Sequence, residues 1–264
     1  MRAMVWIGSA LLLVATSGCQ TLRYHSDAEL WAESDAHFDR GEYDDAIPYY
    51  DELLRREAGD SRALLMRGVS HERDGSPRLA LSDYGGAARS GELRAVLYRI
   101  NLNIKRGDTG AAEEDLAQLR NAGLAGSDRV VQMVLIGSLR LAQGQHRMAA
   151  AAFEQAIKAG QTAAAQEHVQ TARYNAAQAY YHLGDFARAY DHYAAATQPS
   201  SQWGDYEYGP DPIDAYMLGL LAYLAGDFDA AEAHLAKADP DMVKDAAEVL
   251  QDPTFGMRLM GGAQ

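Results

Sequence analysis

Few side chains in this 264-residue chain are placed to do chemistry. Its one cysteine, Cys19, follows an apolar run from Met4 to Ala15 and the small residues Thr16, Ser17 and Gly18. With no second thiol there can be no internal disulfide. Asp205, Glu207, Asp211 and Asp214 gather around a Pro-, Gly- and Ser-rich stretch at 198–211. Their spacing is not that of a calcium loop. Use as an acid–base pair would require matched pKa values in a cleft, so solvation is the better reading. His182 and His192 lie ten residues apart with no second pair to complete a zinc site. Gly107-Asp-Thr-Gly110 lacks the Lys-Ser/Thr that would follow in a phosphate loop, and HExxH and GxSxG patterns are absent. The chain therefore reads as non-catalytic, with no metal or cofactor expected.

Contact chemistry is better represented. Tyr174, Gln178 and Tyr181 are spaced to share one helical face, as are Tyr216, Leu220 and Tyr223. Tyrosine offers a large contact area and a hydrogen-bonding tip at low entropic cost, which suits a surface that grips a peptide or partner helix. For Tyr223 packing between helices is an equal reading, because both faces of its segment are apolar. Arg73, Arg94, Asn101 and Lys105, beside Leu65 and Leu97, form a basic set that would receive a carboxylate or acidic segment. Pairing with neighbouring acids is the competing reading. Trp203, Tyr206 and Tyr208 sit in the 198–211 stretch, which its composition marks as a loop.

The elements that position these residues recur. Six times a glycine is followed at +5 by alanine and at +9 by a bulky residue: Gly41/Ala46/Tyr50, Gly75/Ala80/Tyr84, Gly107/Ala112/Leu116, Gly144/Ala149/Phe153, Gly184/Ala189/Tyr193 and Gly226/Ala231/Leu235. The glycines are spaced 34, 32, 37, 40 and 42 residues apart. Each glycine suits a hairpin turn between two helices, and each alanine a close approach of those helices. Seven residues before the glycine another small residue recurs: Ser34, Gly68, Gly137, Ala177 and Gly219. This pattern resembles the tetratricopeptide repeat over roughly residues 27–240.

The resemblance implies an all-α, right-handed superhelical solenoid of about six hairpins (27–60, 61–92, 93–126, 130–160, 170–203 and 212–240). A capping helix and tail follow at 241–264, with Met242, Val243, Ala246, Ala247 and Leu250 on the apolar face of the helix. It also implies a groove lined by the first helices, on which the tyrosine and basic sets fall. Chaperone adaptors of the family grip a terminal carboxylate with lysine and asparagine. Trp31 and Asp35 stand where those would be, which argues against that mode here.

Residues 1–18 have the layout of a secretion signal, too short to span a bilayer comfortably. Small residues before a lone cysteine resemble the lipobox of bacterial lipoproteins, with Thr16 where leucine is usual. The resemblance implies acylation of Cys19; a plain cleaved signal is the alternative. Gln20 rather than aspartate after the cysteine implies the outer membrane by that resemblance; the periplasmic side is the expected face. Ser26-Asp27-Ala28-Glu29 is a capping box and sets the start of the first helix, so residues 19–26 are a short tether. Formal charge is −13, or −14 without residues 1–18, whose only charged residue is Arg2. That balance argues against nucleic acid and against adhesion to anionic lipid by charge. Envelope proteins or peptides are the expected partners, with the membrane engaged through the lipid. The expectation is a scaffold for pilus or secretion assembly or for recruiting cell-wall enzymes. A carrier of a small apolar ligand, closed by the Trp203 loop, is the alternative.

Overall fold

The computed structural model describes residues 22–120, 122–161, 165–197 and 212–249. Among them are a 3-10 turn (Leu22–Tyr24) and thirteen α-helices, with no strand. The helices are α1 (Asp27–Asp39), α2 (Tyr43–Arg56), α3 (Ser61–Arg73), α4 (Pro77–Arg89), α5 (Leu93–Lys105), α6 (Thr109–Leu119) and α7 (Gly126–Ala142). There follow α8 (His146–Ala159), α9 (Gln166–His182), α10 (Phe186–Thr197), α11 (Pro212–Ala225), α12 (Phe228–Leu235) and α13 (Pro240–Val249). They fall into two compact units, residues 1–106 with 117–122, and 107–116 with 123–264.

Helices α1/α2, α3/α4, α7/α8, α9/α10 and α11/α12 pair as hairpins, turned by five of the six expected glycines; the sixth, Gly107, stands between α5 and α6. All six have φ between 70° and 85°, a left-handed conformation that only glycine adopts without a Cβ clash. Three turns are pinched by an aromatic pair, one ring three residues before the glycine and one two residues after it. Centroids are 5.2 Å apart for Phe38/Tyr43, 5.7 Å for Tyr181/Phe186 and 5.5 Å for Tyr223/Phe228. The first helix starts as the capping box requires. Ser26 N–H donates to Glu29 Oε2 at 2.6 Å, and Glu29 N–H donates back to Ser26 Oγ at 3.3 Å.

Within a hairpin the small residue of the first helix receives the bulky residue of the second. A Cβ on Gly68 would lie 2.7 Å from the Tyr84 ring. On Gly137 it would lie 2.4 Å from the Phe153 ring, and on Gly219 2.3 Å from Leu235 Cγ. The +5 alanines Ala46, Ala80, Ala112, Ala149, Ala189 and Ala231 are all buried, as are Tyr50, Tyr84 and Phe153. In the first unit Leu30, Tyr50, Leu53 and Ala63 form one cluster, and Val69, Tyr84, Ala95 and Leu102 another. In the second unit one cluster runs from Val130 through Phe153, Ala176 and Tyr193 to Leu221. A smaller one of Ala222, Ala231 and Leu235 receives Val243 of α13.

Two first helices begin earlier than the repeat pattern places them: α7 at Gly126 rather than 130, and α9 at Gln166 rather than 170. Close packing at Gly160 accounts for the second. A Cβ there would meet Val169 Cγ2 at 2.2 Å, so the end of α8 and the first turn of α9 lie against each other. The insertion before the fifth hairpin is correspondingly shorter than residues 161–169.

Gly137→Val should destabilise the protein by about 1–3 kcal/mol, because Phe153 has no room to yield. Phe153→Ala alone should cost about 3–5 kcal/mol. The two combined should cost less than their sum, since the valine enters the vacated space. Gly110, whose Cβ would meet nothing closer than 3.9 Å, is the control; Gly110→Ala should be neutral or stabilise by up to about 1 kcal/mol. Denaturant unfolding of the four variants checks the series.

Candidate functional site

On α9 the expected stripe is exposed. Tyr174 is 53% accessible, Tyr181 44%, and Gln178 between them is exposed too. Both rings are steadied from the side. Tyr174 lies 5.6 Å from the Tyr193 ring, and Tyr181 meets Phe186 and His182 edge-on. An aromatic held in place loses little freedom on meeting a partner. The corresponding stripe on α11 is different. Tyr216, Leu220 and Tyr223 are half-buried, and both tyrosines pack against the Ala222/Ala231/Leu235 cluster. At the equivalent positions of α7 stand Val134, Ser138 and Leu141. None of these nine positions carries a charged side chain, on a chain whose formal charge is −13.

Beside Tyr181 an open cleft of about 460 Å³ lies between the turn of the fifth hairpin and the end of α11. Its lining includes Leu183, Phe186 and Leu224, with the Asp185 carboxylate at its edge. Arg188 pairs with that carboxylate and holds it below the usual range.

The basic set lies in the first unit. Arg73, Arg94 and Lys105 are exposed and Asn101 is half-buried. Lys105 Nζ donates to Glu72 at 2.9 Å, and Glu72 also accepts the Tyr84 hydroxyl at 2.8 Å. Its charge is thus already answered by an acid. Leu97 is buried, and Leu65 packs against the core of the second hairpin.

The histidines hold helices together. His192 Nε2 meets Glu154 at 2.9 Å and stacks on Tyr180, whose hydroxyl also donates to Glu154. Arg188 lies over the same ring, 4.5 Å from its centre. His182 stacks on His146 of the preceding hairpin at 4.6 Å. His37, Glu42 and Asp45 bring three potential ligand atoms within 4.8 Å. Arg40 bonds to both Glu42 and His37, so a cation is already supplied there.

A feature that sequence spacing did not indicate lies at the start of the first hairpin. The Arg56 guanidinium donates to the carbonyl oxygens of Leu22 and Arg23 at 3.1 and 3.4 Å, to Asp27 at 2.7 Å and to Glu52 at 2.9 Å. Leu22 packs against the first-hairpin core. Arg55 binds Glu52 as well, with two bonds of 2.7 Å, and together the two arginines hold its carboxyl down at about 2. Cys19, Trp203, Tyr206 and Tyr208, and the acids Asp205, Glu207 and Asp211, lie outside the described residues.

Residues 32–95 and 134–202 match the tetratricopeptide repeat family model, and together they make up just over half of the chain. The chain belongs to that family. No curated protein matches it significantly. Among solved structures it is similar to PilF of Pseudomonas aeruginosa, at 14% identity and a TM-score of 0.63, covering 93% of this chain and 100% of that one. PilW, a widely conserved type IV pilus biogenesis factor, gives 13% identity and a TM-score of 0.63 over 89% of this chain and 98% of its own. The Cut9–Hcn1 hetero-tetramer of the APC/C gives 16% identity and 0.61, covering 93% of this chain but 48% of that one. At these identities the likeness is one of fold.

The Glu52 clamp carries a pH signature. A carboxyl depressed in the folded state contributes stability above its unfolded value of about 4.3, and that stability is lost as pH falls through the folded value. The melting temperature should therefore drop between pH about 4.5 and about 2. Glu52→Gln should melt a few degrees lower at neutral pH and lose less over that acid window. Calorimetry across the range measures both.

Proposed function

We propose that this protein is a non-catalytic adaptor of the bacterial envelope, acylated at Cys19, anchored in the outer membrane and facing the periplasm. Its repeats serve to bind proteins or peptides there. The observation that carries the reading is the α9 face: two tyrosines near half exposure, braced by neighbouring rings, with an exposed glutamine between them and no charge across the stripe. Such a face favours an uncharged, partly apolar segment and binding that salt affects little. Among envelope processes we place pilus assembly first, because PilW carries that role on a chain this one spans almost fully. Secretion-pore assembly and recruitment of cell-wall enzymes follow. Membrane engagement goes through the lipid, and nucleic acid is not a partner on charge grounds.

A second reading is a carrier of a small apolar ligand, against which the cleft beside Phe186 and Leu224 is open to solvent and exposes more polar than apolar surface. Native mass spectrometry of protein purified without detergent decides it, since a carrier keeps ligand mass and an adaptor does not.

For the adaptor, crosslinked native membranes should yield reproducible envelope companions. Tyr174→Ala/Tyr181→Ala should lower their recovery about tenfold, the effect of ~1.4 kcal/mol of lost contact. Helicity should stay unchanged, because both side chains are exposed. Equal recovery by the double variant would remove the α9 face from the account.

A further inference from the structure

We infer that the first hairpin lies directly against the phospholipid headgroups, held there by a pinned tether, with Tyr24 and Arg23 in the interface. The inference rests on the reading of Cys19 as the lipid-bearing residue and goes beyond it, since a lipid anchor alone leaves a domain free to stand away from the bilayer.

From Leu22 onward the chain belongs to the first hairpin. Leu22 is packed into its core, and the Arg56 guanidinium holds the carbonyls of Leu22 and Arg23. The same guanidinium reaches Asp27 and Glu52, so the clamp is built into α1 and α2 rather than laid over them. Only Gln20 and Thr21 separate Cys19 from Leu22. Three Cα–Cα steps of 3.8 Å reach about 11 Å when fully extended. A headgroup layer is itself roughly 5–8 Å thick on each side of the hydrocarbon. A hairpin whose pinned end is no farther than this from an acylated cysteine touches the headgroups.

The side chains at that end suit the place. Tyr24 is 90% exposed, the highest exposure among the large hydrophobic residues described. Tyrosine concentrates at membrane interfaces, where the ring meets acyl chains and the hydroxyl meets water. Arg23 is exposed beside it and offers a cation to a lipid phosphate, while its carbonyl is held by Arg56. Stable anchoring takes more than one signal, and this contact adds to the acyl chains.

The test uses the full acylated protein in vesicles of phosphatidylethanolamine and phosphatidylglycerol that contain a headgroup nitroxide lipid. With Cys19 acylated, a thiol introduced by Ala28→Cys is the only one open to a fluorescent label, and Ala28 is exposed. The label should be strongly quenched. A Gly/Ser spacer of about twelve residues between Gln20 and Thr21, with r.m.s. length ~20 Å, should lower the quenching severalfold. Tyr24→Ser/Arg23→Ser should lower it by a smaller factor. Acylated protein whose label is not quenched, or is quenched equally with the spacer, would overturn the pinned contact while leaving the anchor standing. Mature protein without acyl mass on Cys19 would overturn both.

Discussion

Each hairpin depends on two helices approaching closely enough for a ring or a leucine on one to fill the place of a missing side chain on the other. Gly137 against Phe153 and Gly219 against Leu235 show the constraint at its tightest, with distances a Cβ could not occupy. The approach places the +5 alanines at the contact and buries them. It also brings the chain back on itself so abruptly that the turn residue must be left-handed, as all six turn glycines are. The glycine, the alanine and the bulky residue are thus three consequences of one distance.

The same packing decides which aromatic residues remain for binding. Tyr50, Tyr84 and Phe153 are consumed by the hairpin cores, and Tyr216 and Tyr223 by the last cluster. On α9 the core-facing side is taken by Ala172, Ala176 and Ala179 with Tyr180, which leaves Tyr174 and Tyr181 on the other side. Alanines fill most of the core side, beside Tyr180 and Val169, while two large rings face solvent, which departs from the usual arrangement of an amphipathic helix. That departure is why a functional reading settles on α9 and why fold likeness alone would not reach it, since one scaffold supports both PilW and Cut9–Hcn1.

The hairpins and their turns were legible in the sequence because their signals are local: a glycine, and alanine and bulky residues at fixed offsets from it. The capping box at Ser26 was legible for the same reason. What sequence spacing could not show was which stripe another element covers. Tyr174/Tyr181 and Tyr216/Tyr223 read alike on a helical wheel, yet the second pair packs inward because α11 is apolar on both faces. The pinching pairs Phe38/Tyr43, Tyr181/Phe186 and Tyr223/Phe228 stand at −3 and +2 from their glycines, offsets that lie outside the glycine, alanine and bulky-residue pattern. Contacts that join distant segments left no periodic trace. Arg56 reaches Leu22 across 34 residues, and His192 reaches Glu154 across 38. The basic set shows a further limit: its sequence allowed both an open patch and pairing with acids, and Lys105 pairs with Glu72 one hairpin earlier.

Close helix approach divides the tyrosines into a buried structural set and an exposed set, the latter being the binding face proposed above. Tyrosine nitration of the folded protein, read residue by residue by mass spectrometry, tests it most directly. Tyr174 and Tyr181 should be modified rapidly while Tyr50, Tyr84 and Tyr193 are spared, and a bound protein partner should then protect Tyr174 and Tyr181. Comparable reactivity at Tyr84 and Tyr174, or no change at Tyr174 and Tyr181 when the partner binds, would contradict it.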